Sequence, residues 1–389
     1  MKSFDAVVIG AGIIGAAIAY FLSREGLKVL VLDRSTPASG TSGACDGVIS
    51  LHSKTPGLKI DMAREGIHLY NQLSLHTDLD LEMDKKGSIC LAETEEEVVF
   101  LKKRMESQKG YGLDVRLLDP EEIRSMEPLV SDQVIGASWC PEDTQINPIM
   151  ATFAFLESAR DKGCVLRKNA PVTSLLVHGT TLQGVMIGEE KISAEWTINA
   201  CGAEAAYVSE MIGIAIPIQP RRGQLLVTEP VDPVISSILL EARYMAFKNN
   251  PALGRSSEDP ALKAGISLSV EQTRSGSILI GGTREFAGYN RKTSYDAFHL
   301  MAERAIHFLP SLRELRIIRS FAGLRPYTPD GMPIIGPVEG IDGFLLAAGH
   351  EGDGIALAPS TGKMVSQMVC GKSADFPLEL FSLSRFKSS

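Results

Sequence analysis

The sequence predicts an α/β protein that begins with a dinucleotide-binding unit, and two glycine-rich turns support this fold class. The first turn follows a β-branched run and has the spacing Gly-x-Gly-x-x-Gly, at Gly10, Gly12 and Gly15. The second turn comes near the end of the chain, where the apolar run 344–348 leads into residues 349–354. A helix-like segment follows each turn, and the free N–H groups at a helix N-terminus bind anions such as phosphate.

The first turn has the neighbours that a Rossmann-like unit requires. Gly10 makes the tight turn, Gly12 leaves room for a pyrophosphate, and Gly15 lets the following helix, residues 16–23, pack against the sheet. A second apolar strand then ends on Asp33, which lies eighteen residues after Gly15. A spacing of about 20 residues is typical of the acid that binds a ribose hydroxyl. The order of strand, turn, helix, strand and acid therefore indicates a dinucleotide site.

Composition argues against several other classes of protein. The chain has 389 residues, of which 44% are apolar, and this suggests two or three domains with large cores. A net charge of −8 argues against nucleic acid as the main partner.

The uncharged run 6–22 is near the lower length limit of a membrane span, but its glycine spacing and flanking acids favour the dinucleotide-binding interpretation. The run also lacks the basic start and the cleavage site of a signal peptide, so we expect no targeting segment.

The six cysteines favour a cytoplasmic location. No pair has Cys-x-x-Cys spacing and most lie in apolar stretches, which is typical of buried, reduced thiols. We therefore expect neither a structural zinc site nor another bound metal.

The first half of the chain predicts a loop, an insertion and a small antiparallel unit. Residues 35–44 are small, which is typical either of a flexible loop or of backbone that passes close to a flat cofactor. From residue 82 to 109 the composition becomes charged, which indicates an inserted region with solvated helices. Three strand-like runs at 172–178, 182–187 and 196–200 are separated by glycine-containing turns and predict a meander.

The second half of the chain predicts a hairpin, in which strands 266–271 and 277–280 flank a Thr-Arg-Ser-Gly turn. A segment rich in Pro, Ser and Gly, residues 249–263, precedes this hairpin and is interpreted either as a lid or as ordinary surface. Apart from the helices after the two glycine turns, helical segments are expected at 60–75, 148–162 and 295–309.

These motifs together resemble the D-amino-acid oxidase-like flavoproteins, which include glycine oxidase, sarcosine oxidase and the catalytic subunits of heteromeric amino-acid and opine dehydrogenases. The matching motifs span nearly the whole chain in the family's order, at residues 8–15, Asp33, residues 197–203, Arg222-Gly223-Gln224, Gly323-Leu324-Arg325-Pro326 and residues 349–355. The resemblance implies FAD as the cofactor and two domains that are each discontinuous in sequence. A Rossmann-like FAD-binding domain would comprise residues 1–82, 145–220 and 321–389. An α+β substrate-binding domain with an antiparallel sheet would comprise residues 83–144 and 221–320.

The resemblance also implies which residues bind FAD. The first turn would hold the pyrophosphate, Asp33 the ribose and Val172 the adenine edge. Residues 41–47 would run past the flavin ring, and residues 352–355 would lie at its pyrimidine end. The expected cofactor-binding residues are Gly10, Gly12, Ile13, Ile14, Gly15, Asp33, Arg34, Thr41, Ser42, Cys45, Asp46, Gly47, Val172, Cys201, Gly202, Gly349, Gly352, Asp353, Gly354 and Ile355. Related sarcosine oxidases attach FAD to a cysteine near the position of Arg325. Here no cysteine lies between Cys201 and Cys370, so we expect non-covalent FAD.

Arg325 matches the arginine that binds the substrate carboxylate in this family. A planar guanidinium can hold a carboxylate by two parallel hydrogen bonds, which agrees with that role, and a structural salt bridge is the alternative. A tyrosine often assists the arginine from the strand at 266–271, but this chain offers Ser267 and Ser269 there. The other candidates for substrate contact are Tyr244, Tyr327 and His52. A structural role is the alternative for His52, and no general base is assigned.

The resemblance implies an enzyme that oxidises the C–N bond of an amino acid or a secondary amine, such as a D-amino acid, proline, sarcosine or an opine. Hydride transfer to flavin N5 would give an imine, which water then hydrolyses. Glu351 and Asp353 place two acids in the second glycine turn, as in the dehydrogenase subunits of the family. We therefore expect an electron acceptor other than oxygen, such as a partner subunit. Any association with a membrane is expected to be peripheral and to occur only through partners. The alternatives are a free-standing oxidase that produces hydrogen peroxide, a non-catalytic flavin-binding assembly subunit, and an NAD-linked dehydrogenase.

Overall fold

The computed structural model describes residues 2–249 and 260–386, and within them the chain forms eighteen strands and ten α-helices. The strands are β1 (Lys2–Ile9), β2 (Val29–Leu32), β3 (Val48–Ile49), β4 (Ser88–Ala92), β5 (Arg116–Leu118), β6 (Gly136–Cys140), β7 (Thr144–Gln145), β8 (Val165–Arg167), β9 (Ser174–His178), β10 (Thr181–Ile187), β11 (Glu190–Asn199), β12 (Gln219–Thr228), β13 (Ile238–Glu241), β14 (Ser269–Gln272), β15 (Ile278–Gly281), β16 (Ile317–Tyr327), β17 (Ile334–Pro337) and β18 (Phe344–Ala348). The helices are α1 (Ile13–Arg24), α2 (Leu58–Ser74), α3 (Glu95–Gly110), α4 (Pro120–Met126), α5 (Pro148–Arg160), α6 (Ala205–Glu210), α7 (Ala242–Asn249), α8 (Pro260–Lys263), α9 (Tyr295–Phe308) and α10 (Gly354–Val369). None of the helices in this part of the chain combines the length and the apolar character needed to cross a bilayer.

The first sheet has the strand order β17-β18-β11-β1-β2-β8. Its neighbours from β18 to β8 are parallel to one another, whereas β17 is antiparallel at one edge. β9 and β10 form an antiparallel meander with the first half of β11. Parallel strands are normally covered on both faces, which explains why β2 and β18 are buried along their whole length.

The parallel strands of the first sheet end side by side. Ile9, the last residue of β1, pairs with Leu32 at the end of β2 and with Asn199 at the end of β11. Asn199 also marks the last pair between β11 and β18, where its partner is Leu346. The segments that follow these strands, including both glycine turns, are therefore gathered at one edge of the sheet. Ligands of open α/β sheets bind outside this carboxyl edge.

The second sheet has the order β16-β12-β15-β14-β13-β4-β6-β5. β12 and β16 form a long antiparallel ribbon whose register runs from Gln219 opposite Tyr327 to Thr228 opposite Ile317. A separate apolar core lies between this sheet and α9, which buries Met301 and Phe308. The ribbon places the middle of β16 next to the carboxyl edge of the first sheet.

Helices α1 and α10 pack directly against each other beside the first sheet. A Cβ at position 362 in α10 would lie 2.7 Å from the carbonyl carbon of Ala17 in α1, so Gly362 sets the distance between the two helices. Since α1 follows the first glycine turn and α10 follows the second, this contact keeps both helix N-termini at the same edge of the sheet.

These features confirm the predicted α/β fold with a Rossmann-like sheet and a second sheet. The meander, the hairpin formed by β14 and β15, and the helices after both glycine turns are present. The second sheet is not purely antiparallel, because β4 and β13 pair in parallel. This pair joins segments that are far apart in sequence, so no local pattern indicates it.

The domain boundaries and the cytoplasmic location stay predictions, and most of the expected lid at 249–263 lies outside the described residues.

We expect Gly362→Ala to destabilise the protein by about 1–3 kcal/mol, the usual cost of an extra methyl group in a packed core. Gly110→Ala is the matched control, since Gly110 ends α3 and a Cβ there would have no atom within 4 Å. That control should keep or raise stability, by up to about 1 kcal/mol, because alanine favours helix. Thermal unfolding followed by circular dichroism measures both variants. Equal Tm values would contradict the role of Gly362.

Candidate active site

One cavity is lined by residues from both sheets. Asp33, Arg34 and Val172 contribute to it from the side of the first sheet. Arg325 of β16 and Tyr244 of α7 contribute from the side of the second sheet. The cavity therefore joins the expected nucleotide-binding edge to side chains that the second sheet supplies.

The first glycine turn is closely packed, which explains its glycines. Gly10 has a φ of +106°, and a Cβ there would lie 2.6 Å from the carbonyl oxygen of Ala200. A Cβ on Gly15 would lie 1.9 Å from the carbonyl oxygen of Gly10, so only glycine lets α1 begin directly beside the turn. At the start of α1, the N–H of Ile13 donates a 3.0 Å hydrogen bond to the hydroxyl of Ser42.

Asp33 is held in a fixed orientation after β2. One carboxylate oxygen accepts a 2.8 Å hydrogen bond from the N–H of Ala11, and the other accepts one of 2.8 Å from the N–H of Ser35. Each carboxylate oxygen has a further lone pair, so Asp33 can still accept a hydrogen bond from a ligand hydroxyl. Beside it, Arg34 forms an ion pair with Glu204, and both side chains line the cavity.

The small-residue loop after β2 packs tightly against β16. A Cβ on Gly323 would lie 2.2 Å from the carbonyl oxygen of Ala44, and the hydroxyl of Thr41 donates a 2.5 Å hydrogen bond to the carbonyl oxygen of Leu324. The loop residues that line the cavity are Ser35, Ser39, Gly40, Thr41, Ser42, Ala44, Cys45 and Asp46. The loop is therefore a wall of the cavity, and its small side chains permit this close approach.

The second glycine turn brings an acid among arginines. The carboxylate of Glu351, a residue with φ +50°, lies 3.3 Å from the guanidinium of Arg221. Burial would raise the pKa of Glu351, but Arg325 and Arg221 outweigh this effect and hold the pKa below its ordinary value. Glu351 is therefore an anion at neutral pH. In the same turn, a Cβ on Gly352 would lie 3.6 Å from Nε of Arg325, so the turn passes close to that side chain.

Arg325 lies on β16 and presents its guanidinium to the cavity. Its Nη1 donates a 3.0 Å hydrogen bond to the carbonyl oxygen of Thr283. A Cβ on Gly223 in β12 would lie 2.2 Å from the same Nη1, so the guanidinium occupies space that any other side chain at 223 would fill. Within residues 2–249 and 260–386, Arg325 forms no ion pair with a carboxylate.

The structure brings most of the predicted cofactor-binding residues to the cavity. Those that line it are Gly10, Gly12, Ile13, Ile14, Asp33, Arg34, Thr41, Ser42, Cys45, Asp46, Val172, Cys201, Gly202, Gly352, Gly354 and Ile355. Gly15, Gly47 and Gly349 lie behind the lining and shape the backbone. Asp353 itself does not line the cavity, although Gly352 and Gly354 on either side of it do, and its contact with FAD stays a prediction. The Asp353 carboxylate is engaged by Lys54 at 2.9 Å and by Lys59 at 3.2 Å.

Of the predicted substrate-contact residues, Arg325 and Tyr244 line the cavity, whereas His52 and Tyr327 do not. The placement of His52 is therefore corrected. Its buried ring lies between the hydroxyls of Ser88 and Ser138, at 2.8 Å from each. Burial, with a smaller effect of a nearby arginine, lowers the pKa of His52 to about 3, so the ring is neutral and part of the core.

Tyr327 and His350 also make structural contacts. Tyr327 packs edge-to-face against Phe286 and beneath the guanidinium of Arg221, which corrects its expected place in the cavity. His350 does line the cavity, but its Nε2 lies 3.0 Å from the hydroxyl of Thr361. Burial lowers the pKa of His350 to about 3, so this ring is neutral at physiological pH.

The sequence patterns do not single out Arg284, although this side chain lines the cavity beside Tyr244. Arg284 comes three residues after the end of β15, and its guanidinium is bound by the hydroxyl of Ser267 at 2.9 Å. The sequence feature that could have indicated Arg284 is its place in the loop that follows a buried apolar strand, because functional side chains are often carried by such loops. Gly223, which makes room for Arg325, is visible only in the three-dimensional contact.

The family model described as DAO, FAD dependent oxidoreductase, matches residues 5–368 of this chain. The chain therefore belongs to that family and is an FAD-dependent oxidoreductase. The match confirms the resemblance that the motifs indicate, and it confirms FAD as the cofactor.

Individual relatives are similar over their whole length. The chain is 29% identical to the HcnC subunit of hydrogen cyanide synthase from Pseudomonas protegens, over 100% of this chain and 98% of that protein. It is 28% identical to a subunit of opine oxidase from Agrobacterium tumefaciens, over 99% and 98% respectively. Among solved structures, L-proline dehydrogenase from P. horikoshii superposes with a TM-score of 0.87 at 28% identity, covering 99% of this chain and 98% of that one. The similarity is thus not confined to the dinucleotide-binding unit.

The residues present fit FAD. The turn at Gly10 and Gly12 places backbone without side chains at the start of α1, where a pyrophosphate would bind. Asp33 would accept a hydrogen bond from the ribose, and Val172 lines the cavity on the same side. Residues 41–46 and Gly352 would lie against the flavin.

We expect Asp33→Ala to weaken FAD binding by about 1.5–3 kcal/mol, the usual worth of a hydrogen bond to a charged group, or roughly 10- to 150-fold in Kd. Titration of FAD-free protein with FAD, followed by flavin fluorescence, measures this loss. Asp5→Ala is the matched control, because the Asp5 carboxylate also accepts a backbone N–H, from Lys28 at 2.7 Å, but lies away from the cavity. An equal loss in both variants would show that the role assigned to Asp33 is wrong.

Proposed function

We propose that this chain oxidises the C–N bond of an amino acid or a secondary amine that carries a carboxylate. The position of Arg325 carries the proposal, because its half-buried guanidinium faces the cavity without an ion-pair partner among the described residues. Glu351 senses the charge of Arg325 but lies beyond ion-pair distance, so a substrate carboxylate would supply the direct partner that a cation removed from water favours. The names of two relatives, an opine oxidase subunit and an L-proline dehydrogenase, support the same class of substrate.

Arg325 would bind and orient the substrate. Its guanidinium can hold both carboxylate oxygens by parallel hydrogen bonds, which fixes the position of the α-carbon. The hydrogen bond to the Thr283 carbonyl and the space left by Gly223 hold the guanidinium in place for this purpose. Bound FAD supplies the acceptor, at flavin N5, for the hydride that the α-carbon loses. Loss of this hydride from carbon and of a proton from nitrogen to water leaves an imine. Water hydrolyses the imine to an oxo acid and either ammonia, from a primary amine, or an amine, from a secondary one.

We propose that FAD is bound without a covalent bond to the protein. The cavity-lining cysteines Cys45 and Cys201 are both free thiols. Burial is the main cause that raises the pKa of both, so they stay protonated at neutral pH. A protonated thiol is a poor nucleophile, which supports non-covalent binding.

We expect Arg325→Met to raise the KM for amino-acid substrates by about 100-fold or more, since two charge-assisted hydrogen bonds are lost. FAD content, measured from visible absorbance, should stay at the level of the unaltered protein. Arg319→Met is the matched control, because Arg319 lies on the same strand but is exposed and outside the cavity.

Substrates for this comparison of KM values are first identified by anaerobic flavin reduction, with a panel of D- and L-amino acids, N-methyl amino acids, prolines and opines. If no compound in the panel bleaches the flavin, the proposed function is wrong. A KM that barely changes in Arg325→Met would reject the role of that residue alone.

We further propose that the electrons leave to an acceptor other than oxygen, such as a partner subunit. In support, two relatives are named as subunits, of hydrogen cyanide synthase and of opine oxidase, and a third is named a dehydrogenase. Stopped-flow mixing of substrate-reduced protein with air-saturated buffer tests this proposal. We expect reoxidation by oxygen to be slower than turnover with an artificial acceptor. Faster reoxidation, with release of hydrogen peroxide, would instead favour a free-standing oxidase.

A further inference from the structure

A second arginine lies in the same cavity as Arg325 and has no part in the function proposed above. Arg284 is only 8% exposed, yet it lines the cavity. Its Nη1 donates a 2.9 Å hydrogen bond to the hydroxyl of Ser267, and its guanidinium carbon lies 4.4 Å from the centre of the Tyr244 ring. Ser267 is fully buried and therefore fixed in place. Its hydroxyl and the Tyr244 ring together hold the guanidinium in the wall of the cavity.

No carboxylate is paired with Arg284 in the part of the chain that the structure describes. The guanidinium forms no ion pair there, and its Nε is buried without a hydrogen-bond partner. The Glu351 carboxylate, which also lines the cavity, is paired with Arg221 at 3.3 Å. Burial is the main cause that lowers the pKa of Arg284, and the charge of Arg325 adds to it, whereas the Glu351 and Asp46 carboxylates raise the pKa. Arg284 remains a cation at neutral pH.

The cavity thus presents two guanidiniums that neutral groups hold in place. Arg325 is bound by the carbonyl oxygen of Thr283, and Arg284 by the hydroxyl of Ser267 and the face of Tyr244. One substrate carboxylate accounts for Arg325. Glu351 and Asp46 act on Arg284 only from beyond ion-pair distance. A buried cation is most favourable beside an anion, so a second substrate carboxylate would give Arg284 the direct partner that it lacks among the described residues.

We propose that the substrate is an amine with two carboxylates, of which Arg325 binds the one next to the reacting carbon and Arg284 binds the other. The inference rests on the proposed function, since it specifies the substrate of the same reaction. A guanidinium recognises any carboxylate in the same way. The second carboxylate can therefore belong to the group on nitrogen, as in iminodiacetate, or to the side chain, as in glutamate or aspartate.

Matched pairs of acid and amide test this inference in the holoprotein. The pairs are iminodiacetate and its monoamide, glutamate and glutamine, and aspartate and asparagine, with both enantiomers of each amino acid. In each pair only the second carboxylate changes, and its size is conserved. We expect at least one acid to reduce the flavin anaerobically with a kcat/KM roughly 10- to 100-fold above that of its amide, as for loss of a charged hydrogen bond. The pair that shows the preference also distinguishes the two positions of the second carboxylate.

The variant Arg284→Met should bring this acid-over-amide preference close to one. Arg325→Met should lower the rates for acid and amide by the same factor, because Arg325 binds the carboxylate that both compounds share. Ser267→Ala removes only the hydroxyl that holds Arg284, and it should reduce the preference less than Arg284→Met does. The Ser267→Ala variant therefore still tests the proposal if Arg284→Met fails to fold.

Binding of oxydiacetate provides a readout apart from turnover, since this diacid resembles iminodiacetate but has no amine to oxidise. Its Kd, from the shift of the flavin absorbance, should rise roughly 10- to 100-fold in Arg284→Met. Three results would overturn the inference while leaving the proposed function intact. In the first, amines with one carboxylate reduce the flavin but no acid is preferred over its amide. In the second, Arg284→Met lowers kcat/KM by the same factor for acid and amide. In the third, the Kd of oxydiacetate is unchanged in Arg284→Met.

Discussion

The cavity depends on a backbone contact between the loop that follows β2 and the strand β16. The carbonyl oxygen of Ala44 lies so close to Gly323 that a Cβ there would come within 2.2 Å of it, and Thr41 binds the neighbouring carbonyl of Leu324. This contact sets the second sheet against the carboxyl edge of the first, and it places Arg325 beside the glycine turns. A side chain at position 323 would push the sheets apart and would move the guanidinium away from the cofactor site. The geometry of the site thus rests on residues that take no part in its chemistry.

Charges around the second glycine turn are arranged so that its acids do not oppose anionic ligands. Asp353 is neutralised by Lys54 and Lys59. Glu351 forms an ion pair with Arg221 and is further stabilised as an anion by the charge of Arg325. The N-termini of α1 and α10 add partial positive charge at the same edge of the sheet. The field in the cavity therefore favours phosphate and carboxylate groups, even though the chain as a whole is acidic, with a net charge of −8.

The parts of the site that sequence reasoning reaches are those that local chemistry specifies. The first glycine turn and Asp33 follow from backbone conformation and from spacing along one βαβ unit. The second turn follows from the strand and the helix on either side of it, so all of these are local properties. His52 lies close in sequence to the cavity-lining loop, but Asp143 accepts hydrogen bonds from the N–H groups of Leu51 and His52 and holds this segment in the core. Arg284 reaches the cavity only because the second sheet brings it there. Contacts of this kind depend on pairing between distant strands, which spacing cannot reveal.

Four buried or half-buried arginines lie on β12, on β16 or just after β15, and their partners divide them into two classes. Arg222 is held by both carboxylate oxygens of Glu285, at 3.1 and 2.9 Å, and it does not line the cavity. Arg221 is likewise paired with an acid. Arg325 and Arg284 are instead fixed by neutral carbonyl and hydroxyl groups, which orient a guanidinium without cancelling its charge. A preorganised cation of this kind gives up little orientation when an anion binds. Of these four arginines, the two that form no carboxylate ion pair among the described residues are therefore those suited to hold a ligand.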